Sequence, residues 1–333
     1  MNRVSLANLA AFVVATGLSI FAGIAGTTTR SNGTKAERKT PALAVQFATL
    51  PDGQHALVDA SGHATTMREF RRIVSVGRVA DRLLIELCEP DRIVALSAEG
   101  AAHSPQAFQY AGKALIGEID DIERVVVLRP DLVLANQFSD PWRRVARLRE
   151  AGIAVFDLGE MHGLATLLPQ IGMVAALLGQ PERGERLTAV LQTRLRALLA
   201  TTGPGPRRRA LYLGAIGNDL FGGAPGSSYH DVLVHAGLDD AAEGQFVAWP
   251  HYSAEQVLQL DPDLVVTKTG MGASLCDRPG FAALRVCQTA GAIVELPGAL
   301  IDDPGPAILD AAQELHALVY QKPQAIEQGV GRE

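Results

Sequence analysis

Hydrophobic runs separated by polar, glycine- or proline-containing breaks divide the first half of the chain into alternating strands and helices. The turn dipeptides Asp52-Gly53 and Ser61-Gly62 predict a hairpin within residues 42–67. Runs rich in Val, Ile and Leu, with amphipathic stretches between them, are typical of a parallel sheet covered by helices on both faces. We therefore predict an α/β lobe over residues 42–160, with strands at 72–76, 92–96, 131–134 and 153–156 and helices at 80–88, 125–128 and 141–151.

The middle of the chain interrupts this alternation. Residues 163–178 form a long apolar-periodic helix with no strand close behind it, which indicates a connecting helix over 161–181. A second amphipathic helix follows at 182–200, and the alternation then resumes. The predicted fold class is α/β, with two similar Rossmann-like lobes of parallel sheet joined by one long rigid helix. The second lobe covers 182–322, with strands at 210–213 and 264–267 and helices at 229–236 and 306–320, before a tail at 323–333.

An internal repeat supports the presence of two similar lobes. The segment from Glu123 to Val133 recurs 132 residues later, from Glu255 to Val265, with seven identical positions and no gap. Each copy combines a helix, a Pro-Asp corner and an apolar strand, because proline ends the helix and the strand after it is apolar enough to be buried.

Each copy begins with a glutamate, Glu123 or Glu255, at the start of its helix. A negative charge there is stabilised by the helix dipole by about 0.3–1 kcal/mol, which is a sufficient explanation for either residue alone. A matched pair on two lobes also offers two carboxylates at corresponding corners of the surface. A partner with two arginine pockets would recognise such a pair.

Length and composition agree with two packed domains. The chain has 333 residues, 47% of them hydrophobic, and a net charge of −6, which leaves no overall basic surface for nucleic acid. Its three cysteines, Cys88, Cys276 and Cys287, have no CxxC spacing, so a structural zinc site is not indicated. One bridge between Cys276 and Cys287, or three buried small side chains, both fit this set.

The N-terminus has the pattern of an export signal. Arg3 precedes the uncharged stretch Leu6–Ala25, and small residues before Gly26 suit a cleavage site, so we predict a signal peptide over 1–26 and a flexible leader over 27–41. The alternative is an uncleaved anchor, because about twenty apolar residues just span a bilayer. Either way the folded part lies outside the cytoplasm, and a periplasm of the Gram-negative type is expected.

Several short segments resemble the iron-complex and cobalamin class of periplasmic binding proteins of ABC importers. The resemblance covers residues 72–317 and is carried by 72–75, 122–133, 148–155, 229–237 and 249–258. It implies a monomer that holds its ligand between two α/β lobes and docks Glu123 and Glu255 onto arginines of an ABC permease, which works with its ATPase. This chain departs from the class at Gly77–Arg82, where a Pro-x-x-Thr-Glu stretch is common. That departure leaves the identity of the ligand open.

Ligands of open α/β sheets bind at the carboxyl ends of the strands, so the loops after strands are the candidate site. A glycine-rich loop leads from Phe221 to His230, and residues 246–252 are rich in aromatic side chains, while an earlier loop contains His103. Each candidate also has a plain structural alternative, as a core residue, a helix start or a solvated loop residue. The predicted ligand-binding residues are Trp249, Tyr229, His230, His251, Tyr252, His103 and Phe221.

Three kinds of ligand follow from these residues, and no intrinsic cofactor is expected. A haem would take a Tyr or His as axial ligand, from His251, Tyr252, Tyr229, His230 or His103. A siderophore or corrinoid brings its metal already coordinated, so the aromatic side chains would matter more. A bare divalent cation needs about four protein ligands, for which the available histidines are His103, His162, His230 and His251.

Two other functions compete with transport. Ser227, Ser228, His230 and Asp231 suggest a serine hydrolase, but no Gly-x-Ser-x-Gly elbow follows a strand, so we predict that the protein is not an enzyme. An extracytoplasmic ligand sensor with the same fold stays an alternative. The main prediction is a binding protein that captures an iron complex or a corrinoid and delivers it to its permease.

Overall fold

The computed structural model describes residues 46–104, 107–117, 122–136, 142–201 and 205–321. The expected signal peptide, leader and tail lie outside these residues. The chain forms two compact units. Unit 1 contains the described residues of 1–101, 109–160 and 166–189, and unit 2 contains those of 102–108, 161–165 and 190–333.

Unit 1 begins with a small antiparallel sheet of three strands. The two predicted turns both form, with Gly53 and Gly62 at φ values of 81° and 80°, so the predicted hairpin is confirmed and is extended by a third strand. The strands are β1 (Gln46–Thr49), β2 (His55–Val58) and β3 (Ala64–Thr66), in the order β1-β2-β3.

The main sheet of unit 1 has five strands, and every pairing in it is parallel. Its order is β6-β5-β4-β7-β8, which places the first strand of the chain's α/β pattern in the centre. The four predicted strands are confirmed, while the three-residue β6 was too short to be recognised. The elements are β4 (Ile73–Val76), α1 (Arg78–Leu87), β5 (Ile93–Ser97), α2 (Ala98–His103), β6 (Ala114–Ile116), α3 (Ile122–Val127), β7 (Leu132–Ala135), α4 (Trp142–Glu150) and β8 (Ala154–Asp157).

Two helices follow, α5 (Leu164–Leu177) and α6 (Pro181–Thr201), as the periodicity predicts. The two ends of α5 are held in different units. In unit 2 the carboxylate of Asp231 accepts the backbone N–H of Leu164 at 2.6 Å, and in unit 1 the guanidinium of Arg92 donates to the carbonyl of Leu178 at 3.2 Å. An acid at the start of a helix and a cation at its end both stabilise the helix dipole.

Unit 2 contains a six-stranded sheet in the order β12-β10-β9-β13-β14, with β11 beside β9. It is mixed, because β10 and β12 run antiparallel to their neighbours while β9, β11, β13 and β14 are parallel. The parallel sheet expected from the sequence is therefore correct only for part of this unit. A two-residue connection after β9 allows an antiparallel hairpin but no parallel crossover. The strands are β9 (Arg209–Ile216), β10 (Asp219–Gly222), β11 (Asp239–Asp240), β12 (His251–Tyr252), β13 (Leu264–Lys268) and β14 (Ile293–Leu296).

Six helices of unit 2 are described between or after these strands. The predicted helices at 229–236 and 306–320 are confirmed as α7 and α12. Residues Cys276 and Cys287 are joined by a disulfide, and Cys88 is free and buried, so the alternative with one bridge is the correct one. The helices are α7 (Ser228–His235), α8 (Ala254–Leu260), α9 (Gly272–Leu275), α10 (Arg285–Gln288), α11 (Gly298–Ile301) and α12 (Ile308–Tyr320).

The internal repeat has the same backbone geometry in both units. The backbone N–H of Asp131 donates to the carbonyl of Arg72 at 2.9 Å, and that of Asp263 donates to the carbonyl of Arg209 at 2.8 Å. Each aspartate carboxylate accepts the N–H of the same arginine in return, at 2.9 Å in both cases. The Pro-Asp corner thus joins the strand that follows it to the first residues of the central strand, β4 or β9.

None of the helices within the described ranges is both long and apolar enough to cross a membrane. The apolar stretch Leu6–Ala25 lies outside these ranges.

Candidate ligand-binding site and docking surface

Phe221 and His251 form a cross-strand pair on neighbouring antiparallel strands β10 and β12. Phe221 is half-buried and His251 is exposed. The ring of Phe221 lies against Gly214 of β9, where an added Cβ would come within 2.4 Å of the ring. Only glycine at that position leaves space for the phenyl group, so the sequence of β9 helps to hold the ring in place.

The loop before β12 presents an aromatic side chain and an exposed apolar one. The half-buried indole of Trp249 is stacked with the ring of His162, with ring centroids 6.1 Å apart. His162 is positioned through its Nδ1, which lies 3.3 Å from the carbonyl oxygen of Gly226. Val247, two residues before Trp249, is 76% exposed. This loop therefore has two apolar side chains that are at least partly accessible.

Tyr229 takes part in a buried polar cluster. Its ring stacks on that of Tyr212 with centroids 3.8 Å apart, and its hydroxyl donates to the carboxylate of Asp302 at 2.8 Å. The hydroxyl of Tyr212 lies 3.4 Å from the same oxygen. Burial, together with Tyr229 and Asp302, raises the pKa of Tyr212 far above its ordinary value. Tyr229 is only 8% exposed, so its predicted contact with ligand, which stays a prediction, would involve little of its surface.

Lys268, at the end of β13, completes this cluster. Its ammonium lies 2.5 Å from the second oxygen of Asp302 and 5.8 Å from the ring centroid of Phe221. The side chain is 28% exposed. Sequence reasoning missed Lys268, although a lysine at the end of an otherwise apolar strand was a usable signal, since parallel strands carry their ligands at that end.

His230 and Tyr252 face inward. Nδ1 of His230 lies 2.8 Å from the carboxylate of Asp240. Burial lowers the pKa of His230, but the hydrogen bond and charge of Asp240 outweigh that effect and leave it raised. Tyr252 is 6% exposed and meets the ring of Phe246 edge-on, at 5.0 Å between centroids.

The seven predicted ligand-binding residues thus divide into two groups. Trp249, Phe221 and His251 are accessible in unit 2, and His103 is exposed as the last residue of α2. Tyr229 and Tyr252 are buried, and His230 is engaged with Asp240. Within the described ranges no three His, Cys, Asp or Glu side chains form a group that could hold a metal ion, so His103, His162, His230 and His251 do not converge there.

Three of the four side chains that suggested a hydrolase have separate partners. The hydroxyl of Ser227 donates to the carbonyl of Ala224 at 2.8 Å and accepts the N–H of His230, as the cap of α7. The ring of His230 is directed to Asp240, and the carboxylate of Asp231 holds Leu164. These contacts explain all three side chains as structural.

The departure at Gly77–Arg82 lies at the start of α1. Gly77 has a φ of 125°, and an added Cβ would come within 2.1 Å of the amide oxygen of Asn136, which accepts the N–H of Ala80. Arg78 lies 3.3 Å from the carboxylate of Glu99. Asp81 is fully buried, and burial raises its pKa to about 7 against hydrogen bonds from Ser75, Ser97 and Tyr110.

Glu123 and Glu255 are both exposed in the first turn of their helices, α3 and α8. Hydrogen bonds from its own backbone N–H and from Ser253 lower the pKa of Glu255. Their surroundings differ. Val127, one turn after Glu123, is 78% exposed, whereas the repeat places Gln259 at the equivalent position. Both carboxylates are exposed to solvent, and the docking prediction requires this exposure.

Comparison with known protein families identifies one match. The family described as periplasmic binding protein matches residues 73–288, which is well over half of the chain. A vitamin B12-binding protein of Salmonella typhimurium is 33% identical over 158 residues, which cover 46% of this chain and 58% of that protein. The match thus spans little more than half of that relative's length.

Solved structures share the fold at lower identity. The periplasmic haem-binding protein HutB of Vibrio cholerae superposes with a TM-score of 0.65 at 22% identity, over 75% of this chain and 98% of that one. The periplasmic vitamin B12-binding protein BtuF of Vibrio cholerae gives a TM-score of 0.61 at 22% identity, over 75% and 96%. These structures establish the α/β architecture.

Proposed function

This chain belongs to the periplasmic binding protein family, and on that premise we propose that it is the solute-binding subunit of an ABC importer. Its cargo is a bulky metal complex, a haem, a ferric siderophore or a corrinoid. It is exported to the periplasm, carries no cofactor of its own, acts as a monomer without catalysis, and delivers its cargo to a permease and its ATPase.

The observation that carries this proposal is the accessible aromatic surface formed in unit 2 by β10, β12 and the loop before β12. Phe221 is paired with His251 across two strands, and Trp249 is stacked on His162 in the adjoining loop. An aromatic side chain buries about 150–250 Å² when it is covered, and its face suits a flat macrocycle or a caged chelate. The relative from Salmonella typhimurium and the two Vibrio cholerae proteins are named for ligands of that kind.

Direct titration tests the ligand class. We expect the purified chain to bind at least one of haemin, cyanocobalamin or a ferric siderophore with a Kd of about 1 μM or lower, followed by its absorption spectrum. Trp249→Ala should weaken this binding about tenfold or more, because a buried aromatic anchor contributes about 2 kcal/mol or more. Phe47→Ala, at a partly exposed aromatic residue of β1, is the matched control. Failure of all three ligand classes to bind would refute the proposal.

The second part of the proposal is docking through Glu123 and Glu255. Both carboxylates are exposed, and each occupies the same position of its repeat copy. Arginines of a permease would pair with them through two-pronged hydrogen bonds, and reversing the charges would replace two attractions by two repulsions.

Uptake measurements in cells test this part. We expect Glu123→Arg together with Glu255→Arg to abolish uptake while the Kd for cargo stays unchanged. The matched control is Glu182→Arg with Glu314→Arg, which makes the same charge change at two exposed glutamates, one in each unit. Normal uptake by the first double variant contradicts the docking role.

A further inference from the structure

The ammonium of Lys268 has more donors than its partners use. An ammonium group carries three N–H donors. In the described part of the chain one carboxylate oxygen of Asp302 lies 2.5 Å from it, and the ring of Phe221 faces it from 5.8 Å. The side chain is 28% exposed. At least one N–H donor of Lys268 is therefore left for a hydrogen bond to a ligand or to water.

Strand pairing places Lys268 among the accessible aromatic residues. Val266 is opposite Tyr212 on parallel strands, and Gly214 is opposite Phe221 on the β9–β10 hairpin. Because side chains alternate along a strand, residues two apart share a face. Tyr212 and Gly214 are two residues apart on β9, and Val266 and Lys268 are two residues apart on β13. Lys268 consequently lies on the same face of the sheet as Phe221, at the carboxyl end of β13, where ligands of such sheets bind.

Asp302 fixes the position and the charge of this lysine. One of its oxygens accepts the hydroxyl of Tyr229 at 2.8 Å and is 3.4 Å from that of Tyr212, while the other faces Lys268. The carboxylate is only 9% exposed. Three neighbours thus hold it, and the lysine is oriented before any ligand arrives. A site whose donors are already oriented binds without the cost of ordering them.

The charge of Lys268 is already balanced by Asp302. A second carboxylate brought to the ammonium would be repelled by Asp302, which lies in a partly buried setting where charges interact more strongly than in water. A neutral oxygen, such as the carbonyl of a carboxamide, meets the spare N–H donor without that repulsion.

We propose that Lys268 is a specificity-determining residue that binds a neutral carboxamide oxygen on the periphery of the cargo, with Asp302 as its positioning residue. This inference rests on the proposed function and deepens it. The cargo it selects is a metal complex whose edge carries carboxamides, as in a corrinoid, in preference to one whose edge carries carboxylates, as in a haem.

Two probes that differ in one group test the inference, cyanocobalamin and its derivative with one side-chain amide hydrolysed to a carboxylate. We expect the wild-type chain to bind the amide form at least tenfold more tightly. Asp302→Asn removes the balancing charge and should erase or reverse this preference. Lys268→Met should weaken binding of the amide form about tenfold, while Lys113→Met, in unit 1, leaves it unchanged.

Circular dichroism and thermal unfolding establish that each variant is folded, and Lys268→Met keeps the test valid if Asp302→Asn does not fold. Equal binding of both probes, or a preference that neither variant alters, overturns the inference. Tight binding of haemin without cyanocobalamin also overturns it but leaves the proposed function intact. If haemin, cyanocobalamin and a ferric siderophore all fail to bind, both the inference and the proposed function fail.

Discussion

The two units share one half of their sheets and differ in the other. In both, a central strand is followed across the sheet by two parallel neighbours, β4-β7-β8 in unit 1 and β9-β13-β14 in unit 2. Beyond the central strand unit 1 continues with parallel strands, whereas unit 2 turns back in an antiparallel hairpin. The shared half includes the Pro-Asp corner and the glutamate proposed for docking. The differing half of unit 2 carries most of the proposed ligand contacts.

This division separates the repeated segment, which is alike in both units, from the part of each sheet that differs. A partner that contacts both units constrains the same corner twice, so those residues stay alike. The proposed ligand contacts of unit 2 place no such requirement on unit 1, so the other half is free to differ. Three measurements test how far the two halves follow this pattern.

The largest effect should come from two carboxylates whose side chains are largely buried, one in each unit. Asp302 in unit 2 is paired with Lys268, whereas the pKa of Asp81 in unit 1 is raised to about 7 by burial. Between the pKa of an unfolded aspartate, about 3.9, and about 7, the folded chain holds a proton that the unfolded chain has lost. The free energy of unfolding therefore falls as pH rises through this window, by as much as about 4 kcal/mol.

Urea unfolding of the whole chain between pH 4 and pH 8 measures this dependence. Asp81→Asn is uncharged at every pH and should flatten the profile. As a control, His230→Gln in unit 2 should leave the slope of the free energy of unfolding against pH unchanged below pH 6. A wild-type profile that rises across the window would show that Asp81 is not the controlling group.

A smaller effect is expected from the connections that lead to the last strand of each shared half. Unit 1 uses one helix of nine residues, α4, whereas unit 2 uses the four-residue helices α9 and α10. The disulfide joins Cys276, directly after α9, to Cys287 within α10. Helices that short do not form alone. Replacing both cysteines by serine should destabilise unit 2 by about 3 kcal/mol, the chain entropy of a loop of this length.

Hydrogen exchange followed by mass spectrometry would locate the loss. We expect faster exchange in 272–288 and unchanged exchange in 142–150. Similar changes in both segments would mean that the connection does not depend on the bridge.

The smallest expected difference concerns the two Pro-Asp corners. Asp131 accepts two backbone N–H groups, from Arg71 and Arg72, whereas Asp263 accepts one and pairs with Arg285 at the surface. Backbone hydrogen bonds to a charged acceptor are worth more than an exposed ion pair. Asp131→Ala should lower the free energy of unfolding by about 2 kcal/mol and Asp263→Ala by about 1 kcal/mol, measured by denaturant unfolding. The reverse order would contradict the comparison.

The sequence predicted the fold where side chains have a clear period or a fixed local geometry. Buried apolar runs identified the strands around Val74, Val133 and Val265, and the repeat identified the Pro-Asp corner. The mixed sheet of unit 2 was not predicted, because β10 and β12 are too short to show alternation.

The candidate site was predicted less completely, because some of its contacts join residues that are far apart in the sequence. Aromatic composition identified Phe221 and Trp249, which remain accessible. Composition could not distinguish these accessible residues from Tyr229, which is buried and whose hydroxyl donates to Asp302. The contact between Asp302 and Lys268 joins the residue after α11 to the last residue of β13, and only the folded sheet brings such residues together.

The helix α5 has a thermodynamic consequence, since its first backbone donor is bound in one unit and a carbonyl just beyond its last residue is bound in the other. If either unit melts, that end of the helix loses its partner and begins to fray. The remaining unit then loses part of the helix that packs in it. On heating, the two ends of α5 should for this reason unfold before its middle.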